Sequence, residues 1–151
     1  MPIGKTPFFS AEWDDVKKLL YTRFTGLMNY EDIDRWKLLL QSEALKIQPG
    51  TAFKFYIDES GYEYVNSDVH TYKRNILPEF LASYGFYLSL LPAEDIERLK
   101  KVVSLNNSRC VFMAMNHHNS EVMYSLDEQF GNDSEQYFSN PDDAKKWIES
   151  V

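Results

Sequence analysis

The chain has 151 residues, 44% apolar and 15% aromatic, and its 23 Asp and Glu outweigh 16 Lys and Arg to give a formal charge of −7. That apolar and aromatic load excludes a disordered chain, which lacks the surface to offset the entropy of ordering, and a chain of this length buries roughly 70% of what it exposes unfolded. The acidic balance, without any run of clustered Lys and Arg, argues against nucleic acid and against electrostatic docking on anionic lipid.

Met1 to Ser10 carries one Lys and no long apolar core, so it does not read as a signal peptide. Phe8 to Trp13 and Lys18 to Phe24 are short runs of β formers separated by Asp14-Asp15, read as an opening hairpin closed by Gly26. Asn29 then suits a helix N-cap, with Asp32 three residues on to complete a capping box. Ile33, Trp36, Leu40, Ala44 and Ile47 follow at helical spacing and mark one buried face, which Pro49-Gly50 ends. Thr51 to Ile57 is the clearest strand, stopped by Asp58-Glu59-Ser60-Gly61. Val69, Tyr72, Ile76, Phe80 and Tyr84 predict a second helix, and Pro78 inside it predicts a kink or two short helices. Residues 86–91 fit strand and buried helix equally, whereas Pro92 suits the first turn of a helix with Ile96, Leu99 and Val103 inward.

Arg109 to Met115 is a nearly unbroken apolar run, as expected of a strand covered on both faces. It contains Cys110, the lone cysteine, which excludes an internal disulfide or a multi-cysteine metal site and reads as a small buried hydrophobe. Asn119 or Ser120 caps a helix bearing Val122, Met123, Leu126 and Phe130, and Gln136 to Phe138 is a short strand. Asn140-Pro141-Asp142-Asp143 is a strong helix start, with Ala144, Trp147 and Ile148 inward. The order β, β, α, β, α, α, β, α, β, α predicts one α/β domain: a mostly parallel sheet of about five strands with helices packed on it, opening with a β-hairpin. No apolar stretch reaches the ~20 residues that cross a bilayer, so a soluble, cytoplasmic chain with no membrane span is expected.

Three stretches carry a resemblance to a known family. Trp13 through Gly26 looks like an N-terminal hairpin leading into a first helix, and Phe55-Tyr56-Ile57-Asp58-Glu59-Ser60-Gly61 like a central strand ending in an Asp-x-Ser-Gly turn. Residues 109–148 look like a final strand–helix–strand–helix unit closing on Ala-x-x-Trp-Ile. Together they resemble the STAS domains, specifically the SpoIIAA-like group of anti-sigma-factor antagonists and their bacterial relatives. The resemblance implies a non-enzymatic regulatory module that binds a protein partner. It also implies a phosphoacceptor Ser at the start of the helix after the turn, where the family reads Asp-Ser-Ser-Gly. Here that stretch is Asn66-Ser67-Asp68-Val69, which puts Ser67 in the acceptor's position but lacks the leading Asp, the second Ser and the Gly.

Ligands in open α/β sheets bind beyond the carboxyl ends of strands. That rule, with the resemblance, selects one candidate surface: Asp58, Ser60, Tyr64, Asn66, Ser67 and His70, joined by Asn116, His117 and His118. Each has a plainer role. Asp58 commonly bonds its own turn, and Asn66 or Ser67 simply caps a helix. The three histidines with Asp58 raise metal binding or a Ser–His pair, yet adjacent histidines seldom point the same way and no Gly-x-Ser-x-Gly elbow exists. The expectation is therefore no catalytic residue, no metal and no cofactor, with a protein as the partner and a second copy of the chain among the candidates. The alternative is a carrier of a small or lipid-like ligand, its apolar pocket lined by Tyr62, Tyr64, Tyr84, Phe86 and Tyr87.

Overall fold

The structure is a computed structural model that describes residues 6–102 and 107–151. Val103, expected inward on a helix, lies outside them. The opening hairpin is β1 (Phe8–Asp14) against β2 (Leu19–Met28), antiparallel, with Asp14 Oδ1 accepting the Val16 and Lys17 N–H groups at the turn. β2 does not end at Gly26, as expected, but runs on to Met28. Gly26 has φ +84° and lies so close to the Thr6 carbonyl that a Cβ could not fit, so it serves a close backbone approach within the strand.

Asn29 and Asp32 form the expected capping box at α1 (Tyr30–Ala44), which buries Ile33, Trp36, Leu40 and Ala44 on the sheet. The Trp36 indole there donates to Thr22 Oγ1 at 2.8 Å, and that hydroxyl donates to the Ser10 carbonyl at 2.8 Å. β3 (Ala52–Glu59) lies parallel to β2. After Ser60-Gly61, an unexpected short strand β4 (Tyr62–Tyr64) continues along β2, pairing Gly26–Met28. β3 and β4 are thus one path along β2, interrupted by a two-residue turn at the point where β3 leaves its other neighbour.

α2 (Ser67–Ala82) follows, capped by Asn66. It runs unbroken through Pro78 as one helix, which corrects the expectation of two short ones: the buried face of Val69, Ile76, Leu77, Phe80 and Leu81 outweighs one missing backbone donor. Residues 86–91 form neither strand nor helix. α3 (Ala93–Leu99) leads to β5 (Arg109–His117), which is parallel to β3 and holds Cys110 buried as expected. α4 (Ser120–Phe130) is capped by Asn119, β6 (Glu135–Phe138) lies parallel to β5, and α5 (Pro141–Ser150) is capped by Asn140. Of the apolar residues that α4 carries, Met123 is buried and Val122 stands exposed.

Among the described residues the sheet order is β1-β2-β3-β5-β6, with β4 beside β2. One face carries the main core, where Phe24, Phe53, Phe55 and Met113 meet α1, α2 and α4. The other carries a smaller cluster in which Tyr56 and Ala114 meet Ala144 and Ile148 of α5. All the parallel strands point their carboxyl ends to one edge, and there β3, β4 and β5 deliver the candidate residues.

Candidate functional site

At that edge the alternation of β3 sends Asp58 to the α5 face and Glu59 to the α2 face. Asp58 is 6% exposed and its Oδ1 accepts the Ser60 N–H at 2.9 Å, the turn bond expected of it, and Asn116 Nδ2 at 2.7 Å. Asn116, wholly buried on β5 opposite Asp58, also donates to Ser60 Oγ at 2.8 Å and accepts from the Tyr56 hydroxyl. Burial, then the nearby Asp58 charge, holds the Tyr56 phenol far above its ordinary pKa, so it remains a donor. Arg23 Nε lies 3.8 Å from Asp58 Oδ2. Asp58, Ser60 and Asn116 are thus bonded to one another where β3 and β5 end.

On the opposite face Glu59, 3% exposed, meets Lys73 of α2, 5% exposed, at 2.6 Å. The Lys73 ammonium also sits 5.2 Å from the Phe24 ring centre and 5.1 Å from that of Tyr62. Neither Glu59 nor Lys73 stood out in the sequence. The one available signal was a Lys four residues after Val69 on the inward helical face, a position that a solvated side chain would not take.

The histidines depart from expectation. His117 and His118 do point the same way: their rings stack with centres 4.1 Å apart and planes at 26°. The pleat that would separate them ends at His117, the last residue of β5. The freed His118 reaches across to accept the Gly61 N–H on Nδ1 at 3.1 Å, and His117 Nδ1 accepts the Asn119 N–H at 3.0 Å. Burial, foremost, holds the His117 pKa below its usual value, with Glu59 opposing and His118, Lys73 and His70 reinforcing. His70 of α2 is likewise lowered by burial, then by Lys73 and Arg74. Its ring stacks on Tyr64 at 4.3 Å and its Nδ1 lies 3.4 Å from the Tyr62 hydroxyl.

Tyr64 is 45% exposed, and the next residue, Val65, is exposed too, its N–H bonding the Met28 carbonyl at 3.2 Å; Leu27 of β2 and Tyr30 of α1 are likewise exposed. Ser67 is exposed as the first residue of α2, and the cap is Asn66, whose Oδ1 accepts the Val69 N–H at 3.0 Å. Of the aromatics expected to line a ligand pocket, Tyr62, Tyr84 and Phe86 are core residues, and the Tyr62 and Tyr64 rings lie 6.0 Å apart. Of two grooves, the one along α5 reaches this edge at Asp58, and the other lies away from it. The first, of about 300 Å³, runs over Tyr21 and Tyr56, and the second, of about 690 Å³, lies between α1 and α2 over Leu38, Leu45 and Phe80.

No family model matches the chain and no curated protein does. Among solved structures it is similar to an uncharacterized protein from the DUF3478 family with a SpoIIAA-like fold from Shewanella loihica PV-4. The two are 12% identical over 98% of this chain and 99% of that one, with a TM-score of 0.49. At that identity no function passes across the likeness.

Proposed function

We propose that the chain is a non-enzymatic module that binds a protein partner through the carboxyl edge of its sheet. The observation that supports this reading is the division of labour there. Asp58, Ser60 and Asn116 bond one another, while Tyr64 and Val65, consecutive in the chain, stand exposed at the end of β4, as do Leu27 of β2 and Tyr30 of α1. Aromatic anchors of this kind carry much of the energy of interfaces. Glu63 and Asp68 lie exposed beside the patch and the whole chain carries −7, so the partner is an apolar surface bordered by Lys and Arg. Ser67 opens α2 within this surface, where a phosphate would meet free helix N–H groups and the opposing charge of Asp68.

The test compares wild type, Tyr64→Glu with Ser67→Glu, and Tyr124→Glu on exposed α4 as a control. Binding of a partner recovered by cross-linking is then titrated with purified proteins. We expect the edge variants to weaken binding by about tenfold or more and the control to leave it unchanged. A partner whose affinity ignores Tyr64 and Ser67 removes this surface.

A second reading, carriage of a small apolar ligand, is favoured by the groove of about 690 Å³ between α1 and α2, a volume within the usual range for ligand sites. Saturable binding of a fluorescent fatty-acid probe, abolished by Phe80→Glu in a folded protein, is its expected result. A probe that stays free at micromolar protein counts it out.

A further inference from the structure

His117 and His118 are held in one protonation state by backbone geometry. A ring nitrogen that accepts an N–H carries no proton, so the bonds from Gly61 to His118 and from Asn119 to His117 each require a neutral imidazole with its proton on Nε2. Protonating Nδ1 replaces an acceptor by a donor and leaves a backbone N–H facing it. The second proton also places an imidazolium 4.1 Å from the first.

What each bond holds is specific. Gly61 is the turn residue between β3 and β4, with φ +80° and its Cα against Thr25, and its carbonyl accepts the Gly26 N–H at 2.9 Å. The turn is thus tied to β2 on one side and, through His118, to the β5–α4 loop on the other. Asn119 is the N-cap of α4. We propose that the stacked His117–His118 pair is a proton-operated latch. In its neutral state it clamps the β3–β4 turn to the β5–α4 loop, and on protonation it releases the turn and the Tyr64 that follows.

The charges facing the pair set its working range. Glu59 on β3 favours a proton on His117, but Lys73 of α2 engages that carboxylate at 2.6 Å. Lys73 and His70, both on α2, oppose the proton, as does His118 itself. His118 is exposed, so protons reach the stack from solvent. The proposal uses the docking reading only for what the latch controls: acidification would loosen the patch that carries Tyr64.

The experiment follows the full chain, labelled with ¹⁵N, from about pH 7.5 to about pH 5, across the ordinary imidazole pKa of about 6.5. Imidazole ¹⁵N shifts are expected to show Nδ1 of His117 and His118 unprotonated at the upper end. On acidification, hydrogen exchange at Gly61 and Asn119, corrected for its intrinsic pH dependence, should rise by about tenfold, the scale of one lost hydrogen bond, while Tyr56 inside β3 holds. In His117→Asn with His118→Asn the amide oxygens take the place of Nδ1 and accept at any pH, so Gly61 protection should no longer change. If the double variant does not fold, His118→Asn alone decides the point at Gly61. A neutral ring protonated on Nδ1, or Gly61 protection that falls equally in the Asn variant, overturns the latch. No partner enters the readout, so a failed latch leaves the docking reading standing, and the Tyr64 comparison can fail with the latch intact.

Discussion

Lys73 and Glu59 are two charged residues whose burial is costly. Both charges lie more than nine-tenths out of water, and each is acceptable only because the other stands 2.6 Å away, with two aromatic rings over the ammonium. Lys73→Met leaves Glu59 buried and unpaired, and we expect it to lower stability by about 3–5 kcal/mol in urea unfolding. Adding Glu59→Gln to the same chain should recover much of that loss, because the orphaned charge is gone. A double variant as unstable as the single would mean that the aliphatic stem and ring contacts, rather than the pairing, hold α2 in place. Buried Asp58 follows the same rule, partnered by the Asn116 amide, the Ser60 N–H and, at 3.8 Å, the Arg23 guanidinium.

At the scale of elements, local chemistry and tertiary packing pull apart in two places. Pro78 sits in the last third of α2, where its ring removes a donor and crowds the preceding turn. The helix persists because its buried face is long. Pro78→Ala should therefore stabilise the protein, by about 1–2 kcal/mol once the greater entropy of the unfolded Ala chain is counted, and a raised thermal midpoint checks it. An unchanged or lowered midpoint would mean that the native backbone is already shaped around the ring. β1 meets the other conflict, since an edge strand offers unpaired N–H groups to other chains. Glu43 of α1 covers one of them, accepting the Trp13 N–H at 3.0 Å. Burial acts to raise the Glu43 carboxyl, but that bond and Lys46 outweigh it and hold the group below its usual value.

For the whole molecule, the histidines give stability a direction with pH. His70 and His117 are both depressed in the folded state, chiefly by burial. Below about 6.5 the unfolded chain therefore binds protons that the native state refuses, and stability rises with pH wherever that is so. The contribution is complete above about pH 6.5 and is lost as pH falls through the lowered folded values. Depressed carboxylates such as Glu43 and Glu149 act in a separate window, below about 4.5. The urea midpoint is expected to be level from about pH 7 to 8 and to fall between about 6.5 and 5, with a smaller fall in His117→Asn. A midpoint that stays level across that interval would contradict the burial of these rings.

The amino-acid order by itself determined the alternation of strands and helices, the caps at Asn29 and Asn140, and the buried Cys110, and it narrowed the caps of α2 and α4 to Asn66 or Ser67 and Asn119 or Ser120, since each depends on residues a few positions apart. Asn29 with Asp32 needs only three-residue spacing to satisfy a helix start, and Arg109 to Met115 needs only its own apolarity to read as a covered strand. The crevice rule selected residues that the fold brings to the carboxyl edge of the sheet, but not the bonds they make there. Asp58 and Asn116 are 58 residues apart, and Gly61 and His118 are 57. Which of them meet was decided by β3 lying beside β5 in a register that sets Asp58 opposite Asn116 and Glu59 opposite His117. Gly26 as a close approach inside β2, β4 as the resumption of β3, and the stacking of two adjacent histidines follow from that same lateral arrangement. Register between distant strands is fixed by the packing of the entire core, and no local pattern encodes it.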